Sequence, residues 1–344
     1  MKRMILRRLA AAAALLLAPV CIKAQAATYT LKRIEIPGAV KIAATGMNDA
    51  GYIVGTYIGD RGRPRSFLIR GGIVKPLYSM VELGGRAAAY PISIDNKNGI
   101  LGESCLVVCL GATYTGTHQT YSFGLGPAVS EIGMDRLVAR NDLGTVVYLA
   151  EGIADGFSVG TEIGNAQGFA PIPAPTGTEV YASSINNAGT VAGTLIPVIG
   201  TTGTAVAFTY ANNTFNTVAI PDATAIGDVL INNKGELAGV YTDVSNHPHL
   251  WFYNAGKLHV FTAHAAHAYL TLSEINATGE VAGTTDVPGT TTLTQAFVYR
   301  GGPDLEKIGE WNNVLVSVGA LTSDGRVLIT VNGTKSYVAS CTDC

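Results

Sequence analysis

The chain has 344 residues, of which 47% are hydrophobic, 14% are charged and 41 are glycine, and its formal net charge is −2 at pH 7. With no basic run, nucleic acid and anionic membrane surfaces are poor partners. Abundant Gly, Thr, Ala and Val with so little charge suit packed β-sheet rather than a disordered tail.

In chain order, residues 1–26 read first, as a Sec-type signal peptide. Lys2, Arg3, Arg7 and Arg8 lead, an apolar stretch runs from Leu9 to Val20, and Ala24-Gln25-Ala26 offers a cleavage site. The stretch is too short to cross a hydrocarbon core of about 30 Å, and Pro19-Val20 before Cys21 suits lipid-linked processing poorly. Cleavage removes five cations (Lys23 is the fifth), which takes the formal charge from −2 to −7. The expected product is secreted or periplasmic, not membrane-spanning, and monomeric.

The mature chain, 27–344, is expected to be one domain. It opens with a strand whose Ile36-Pro37 ending matches Ile172-Pro173 and Ile220-Pro221, which close later repeats. Asn-x-x-Gly turns then recur at Asn48–Gly51, Asn96–Gly99, Asn141–Gly144, Asn186–Gly189, Asn232–Gly235 and Asn276–Gly279, with a degenerate copy at Thr322–Gly325. Their glycines lie 48, 45, 45, 46, 44 and 46 residues apart. Asn at the first position accepts hydrogen bonds from following backbone amides, and Gly at the fourth takes positive φ, which is the chemistry of a tight hairpin.

An aromatic-bearing run follows each turn, around Phe67, Tyr121, Phe157, Phe208, Trp251, Phe297 and Tyr337, and no segment holds a helical apolar spacing. A mid-forties period built of strands predicts an all-β fold, a seven-bladed β-propeller of four-stranded antiparallel blades. Because the chain ends on a third strand, KSYVAS, the N-terminal strand is expected to complete the C-terminal blade and leave no open edge.

Several segments stand out from the repeat. Residues 103–120 and 194–205 read as long loops between second and third strands, and Leu106, Val107, Tyr114, Ile196 and Ile199 in them form a candidate contact surface for a glycan or protein. The plain alternative is that the first loop buries its own apolar residues. Cys105 and Cys109, and Cys341 and Cys344, could as thiolates ligate zinc. They follow strands that end on opposite faces, however, so local disulfides are favoured in an oxidising compartment.

Asp135, Tyr181, Asp228 and Glu274 fall on expected innermost strands. Asp228 and Glu274 are the candidate acid and base for a glycoside if about 5–10 Å apart, against the plain reading of solvated lining. His247, His264 and His267, with Asp243 as an oxygen donor, could meet on one face and would suit zinc or copper, although surface loops often carry histidine with no metal. No nucleophile elbow, HExxH, phosphate loop or dinucleotide fingerprint is present, so no cofactor is otherwise implied.

With MNDAGYIVG, INNAGTVAG, INNKGELAG and INATGEVAG in hand, the chain resembles the HAF repeat family of exported bacterial proteins over essentially residues 40–340. The resemblance implies an extracellular β-propeller-like repeat and transfers no catalytic residues. Where the family has His-Ala-Phe, this chain has Gln295-Ala296-Phe297, Val206-Ala207-Phe208 and Arg65-Ser66-Phe67. The expected function is recognition of a cell-surface, glycan or protein ligand. A polysaccharide hydrolase or lyase acting at the channel mouth and a structural envelope component stay open as alternatives.

Overall fold

In the computed structural model, Asn232 shows why the turn motif is written as it is. Its Oδ1 accepts from the backbone N–H of Lys234 and Glu236 at 3.0 Å each, the Gly235 N–H donates to the Asn232 carbonyl at 3.0 Å, and Gly235 sits at φ +80°. Asn141, Asn186 and Asn276 repeat this pattern. The structure describes residues 27–77, 79–80, 86–105, 109–115, 118–123, 136–152, 158–165, 167–262, 269–287, 290, 293–302, 304–309, 311 and 314–343. The expected leader, 1–26, lies outside them.

The second repeat departs from the expected register. Its turn begins at Asp95 rather than Asn96: the Asn98 N–H donates to the Asp95 carbonyl at 3.0 Å, and Asn98 takes the left-handed position at φ +67°. Asp95 Oδ1 accepts from Lys97 and Gly99 as an Asn Oδ1 would. Asn tolerates positive φ better than other residues with a side chain, so Asp-x-x-Asn can replace Asn-x-x-Gly and shift the motif by one.

The second glycine of the motif has a separate cause. Gly55, Gly193 and Gly239 pair in register with Phe67, Phe208 and Trp251, and a Cβ on them would come within 3.0, 2.9 and 2.5 Å of those rings. At Gly55 and Gly193 the opposite side is closed by backbone of the innermost strand. The aromatic ring, fully buried in each case, therefore lies across bare backbone.

These hairpins build an all-β propeller of antiparallel sheets, with no helix among the described residues. Six sheets are four-stranded blades that run outward from an innermost strand. Typical is Thr178–Ile185, Val191–Pro197, Val206–Ala211 and Thr214–Val218. The second repeat corrects the expectation of seven equal blades. Its sheet has five strands, because Ser79–Met80 pairs beside Arg86–Ile94 ahead of Gly99–Cys105, Cys109–Thr115 and His118–Phe123. Among the described residues the regular four-stranded blades therefore number six.

At the ends of the chain, Tyr29–Arg33 pairs with Lys335–Cys341, the third strand of the C-terminal blade, from Tyr29 opposite Cys341 to Arg33 opposite Tyr337. Buried clusters sit between neighbouring sheets. Ile34 and Ile36 belong to the one that joins Leu328 and Ala320 of the last blade to Ile42 and Phe67 of the first. Apolar burial of this kind is worth about 25 cal/mol per Å², so the N-terminal segment holds the ring shut by packing as well as by strand pairing.

The segment 103–120, expected as a loop, is largely strand. Gly99–Cys105 and Cys109–Thr115 form a hairpin with Cys105 opposite Cys109. Tyr114 is therefore in a third strand and Tyr121 in a fourth, where a loop and a third strand were expected. The Thr and Tyr residues of Cys109–Thr115 favour extended backbone. Leu106 and Val107 lie outside the described residues.

Candidate functional site

Each of several innermost strands carries a bulge just before its turn, as between Ala44 and Gly46, Ala182 and Ser184, and Leu272 and Glu274. A bulge inserts an unpaired residue and re-aims side chains. Here it turns two successive positions, such as Ser183 with Ser184 and Ser273 with Glu274, toward the axis. The result is a cavity of about 420 Å³ lined by all seven turn hairpins.

The rim of this cavity is a hydrogen-bonded circuit. Asn48 donates Nδ2–H to the Asp95 carbonyl, Asn141 to Asn186, Asn186 to Asn232, Asn232 to Asn276 and Asn276 to Thr322, at 3.0–3.2 Å. Two first positions, Asp95 and Thr322, lack an amide to donate. At each an arginine takes over. Arg140 ion-pairs with Asp95 and donates to the Asn141 carbonyl at 3.4 Å; Arg326 donates to the Asp49 carbonyl at 2.7 Å and is held by Asp324. Second turn positions add another layer, in which Asp49, Asn96, Asp142 and Asn187 donate backbone N–H to the side chains of Asn96, Asp142, Asn187 and Asn233. Ser323 in turn donates to Asp49 and closes the layer onto the first turn.

Glu274 is the exception in this bonded lining. Its side chain is accessible to solvent from the cavity, while the close-set wall strips part of its hydration. That loss of hydration, with the negative charge of Asp49, raises its pKa from the ordinary carboxylate range to about 7. Asp49 and Asp142 are committed to Ser323 and to Asn96 and Asn187, and Asp95 to Arg140. Among the described residues, no protein group bonds the Glu274 carboxylate.

The other sequence candidates are dispersed. Asp228 is exposed on Ala225–Ile231 and is not part of the cavity wall. Tyr181 donates its hydroxyl to Glu179 at 3.0 Å, and Asp135 is outside the described residues. Ile196 is in strand Val191–Pro197, whereas Ile199, on the following loop, is 97% exposed.

Asp243 caps its own turn through the Ser245 and His247 amides, and the pull of the His247 amide first, then of His249, lowers its pKa to about 2. His247 Nδ1 lies 3.7 Å from Asp243 and His249 Nε2 lies 3.0 Å from it, with the His249 ring stacked on Tyr241. His264 and His267 fall outside the described residues, among which no three His, Cys, Asp or Glu side chains are grouped to hold a metal. Cys341 is disulfide-bonded, and Cys344 lies outside the described residues.

No protein-family model matches this sequence, and no curated protein does either. Solved structures do match. A catalytically inactive virginiamycin B lyase from Staphylococcus aureus, solved with quinupristin, is 10% identical, with a TM-score of 0.51 over 91% of this chain and 99% of that one. The β-propeller domain of the Trilobed protease from Pyrococcus furiosus, described as having an open velcro topology, is also 10% identical, with a TM-score of 0.54 over 88% and 98%. The acylaminoacyl peptidase from Pyrococcus horikoshii is again 10% identical, with a TM-score of 0.56 over 88% of this chain and 52% of its own. What these proteins share with this chain is the propeller.

At such identity the likeness carries fold and no chemistry. Sequence reasoning placed Glu274 on an innermost strand and named neither Arg140 nor Arg326. With the second turn placed at Asp95 by the structure, the two turns that lead with a residue other than Asn, at Asp95 and Thr322, are the two that acquire an arginine, one just before the next turn and one just after its own.

Proposed function

We propose that this protein is an exported propeller of the HAF repeat kind that serves as a recognition platform for a cell-surface, glycan or protein ligand. In this reading the five-stranded sheet is the seventh sector of the ring, the leader is removed, and Cys341 pairs with Cys344 to clasp the C-terminus beside the closing strand. The observation that carries the reading is the axial cavity. Its volume suits a small-molecule moiety, its wall is rich in hydroxyls and amides, and among the described residues Glu274 is the carboxyl in it left without a protein partner.

Polysaccharide hydrolysis normally needs a pair of carboxyl groups across the scissile bond; Asp228 does not stand in the cavity wall with Glu274, and the carboxylates that do, Asp49, Asp95 and Asp142, are engaged by Ser323, Arg140 and Asn187. That favours binding over turnover. The test is to immobilise residues 27–344 and challenge them with envelope polysaccharides and envelope protein extracts. Retention of a defined glycan or protein without new reducing ends is the expected result. Release of new chain ends would mean an enzyme, and neither retention nor turnover would leave the structural role.

A further inference from the structure

We infer that the axial cavity accepts a small hydroxylated primary amine, such as the free-amine form of an amino sugar, with the Glu274 carboxylate as its counter-ion. This deepens the recognition reading and rests on it. The charged groups that face Glu274 across the cavity are Asp49, Asp95, Asp142 and Arg140, so four carboxylates stand against one guanidinium and an anionic ligand is disfavoured.

A divalent cation fits less well than an amine. Three of the four carboxylates are already engaged by the protein, and calcium takes six to eight oxygen ligands. One free carboxylate matches one ammonium, which needs a few acceptors at hydrogen-bond distance. The neighbouring lining supplies groups for hydroxyls: the Ser273 and Ser93 hydroxyls line the cavity with no protein partner among the described residues, and Asn233 engages its Oδ1 with the Asn187 amide. By contrast Thr45, Ser183 and Ser184 are tied to the next inner strand, to the carbonyls of Pro91 and Val229. The unengaged groups thus include two adjacent residues of one bulge, Ser273 and Glu274, and that is the spot to which the ligand is assigned.

Titration calorimetry on residues 27–344 with glucamine, sorbitol and N-acetylglucamine tests this. Glucamine stays cationic across the range from about pH 5.5 to 8, while the other two carry no charge. Glucamine should bind at least about tenfold more tightly than either neutral analogue, and Glu274→Gln should remove at least about tenfold of that affinity. Glu274→Asp, which keeps the charge on a shorter arm, should fall between. With the Glu274 pKa raised to about 7, affinity should drop about 30-fold from about pH 8 to about pH 5.5 as the carboxylate is protonated, and Glu274→Gln should flatten that profile.

Melting temperatures of both variants establish that they fold. Equal binding of glucamine and sorbitol, no glucamine binding, or an unchanged Glu274→Gln would overturn the assignment. If envelope ligands are retained while any of these holds, the cavity assignment falls and the platform stands. Glucamine binding that depends on Glu274, with no envelope ligand retained, would instead uphold the cavity assignment and remove the platform.

Discussion

Arg140 and Asp95 show how one residue change forces another. In the repeats that lead with asparagine, that residue supplies both an acceptor to its own turn and a donor to the next. Aspartate keeps only the acceptor, and its second oxygen needs a cation. Asp95 is 4% exposed at its side chain, so Arg140→Ala leaves a buried carboxylate unpaired, and a loss of about 3–5 kcal/mol is expected. Asp95→Asn combined with Arg140→Ala restores the donor, and the double variant should return to within about 1 kcal/mol of wild type by urea unfolding. A double variant no more stable than Arg140→Ala alone would refute this account of the circuit. The arginine was legible in the sequence as a residue but not as a partner, since a donor's role depends on a turn 45 positions away in the chain.

At the scale of elements, the turns and aromatic strands were legible because each is fixed by local chemistry, positive φ in one case and a ring over bare glycine in the other. What misled was position. Asn96-Lys97-Asn98-Gly99 satisfies the motif by letter, yet the hairpin begins at Asp95, because the strand pairing of Ile94 with Ile100 sets the register and Asn98 can take the glycine's place. Substitution at Asn98 discriminates between the two registers. With φ at +67° and Oδ1 accepting from Asn48 Nδ2 at 3.1 Å, Asn98→Gly loses that bond but gains at the backbone and should stay within about 1 kcal/mol of wild type, whereas Asn98→Val loses the bond and adds strain and should cost at least about 1 kcal/mol more than Asn98→Gly. Under the register read from the sequence, Asn98 would not be the left-handed position and Asn98→Val would be mild. The 103–120 segment misled for a related reason: its cysteines and glycines read as a loop, while Cys109–Thr115, with Thr113, Tyr114 and Thr115, pairs as a strand. The candidate site shows the same limit, since Glu274 could be placed on an inner strand from sequence but the bulge that turns it toward the axis, and the loss of Asp228 from the wall, are products of pairing.

For the whole molecule, the decisive contact is the most distant in sequence. Thr28 donates to the Asp343 carboxylate at 2.6 Å and accepts from the Thr342 amide at 2.9 Å, so the two ends of the described chain lie side by side. Until Tyr29–Arg33 docks, the edge of Lys335–Cys341 is open, and the buried packing of Ile34 and Ile36 is missing. Closing a loop of that length is entropically costly, though the cost grows only logarithmically with length, and long-range pairing slows folding. A circular permutant tests the point: residues 27–344 joined end to end through a short Gly-Ser linker and opened at Gly62, which is exposed at φ +70° with room around it. The permutation converts the closing pair into a local hairpin and breaks only the connection between Ile53–Gly59 and Pro64–Arg70. Refolding followed by tryptophan fluorescence should lose its slowest concentration-independent phase, with the unfolding midpoint kept close to that of the parent. Retention of that phase would place the slow step elsewhere, in the assembly of the axial circuit rather than in the docking of the N-terminal strand.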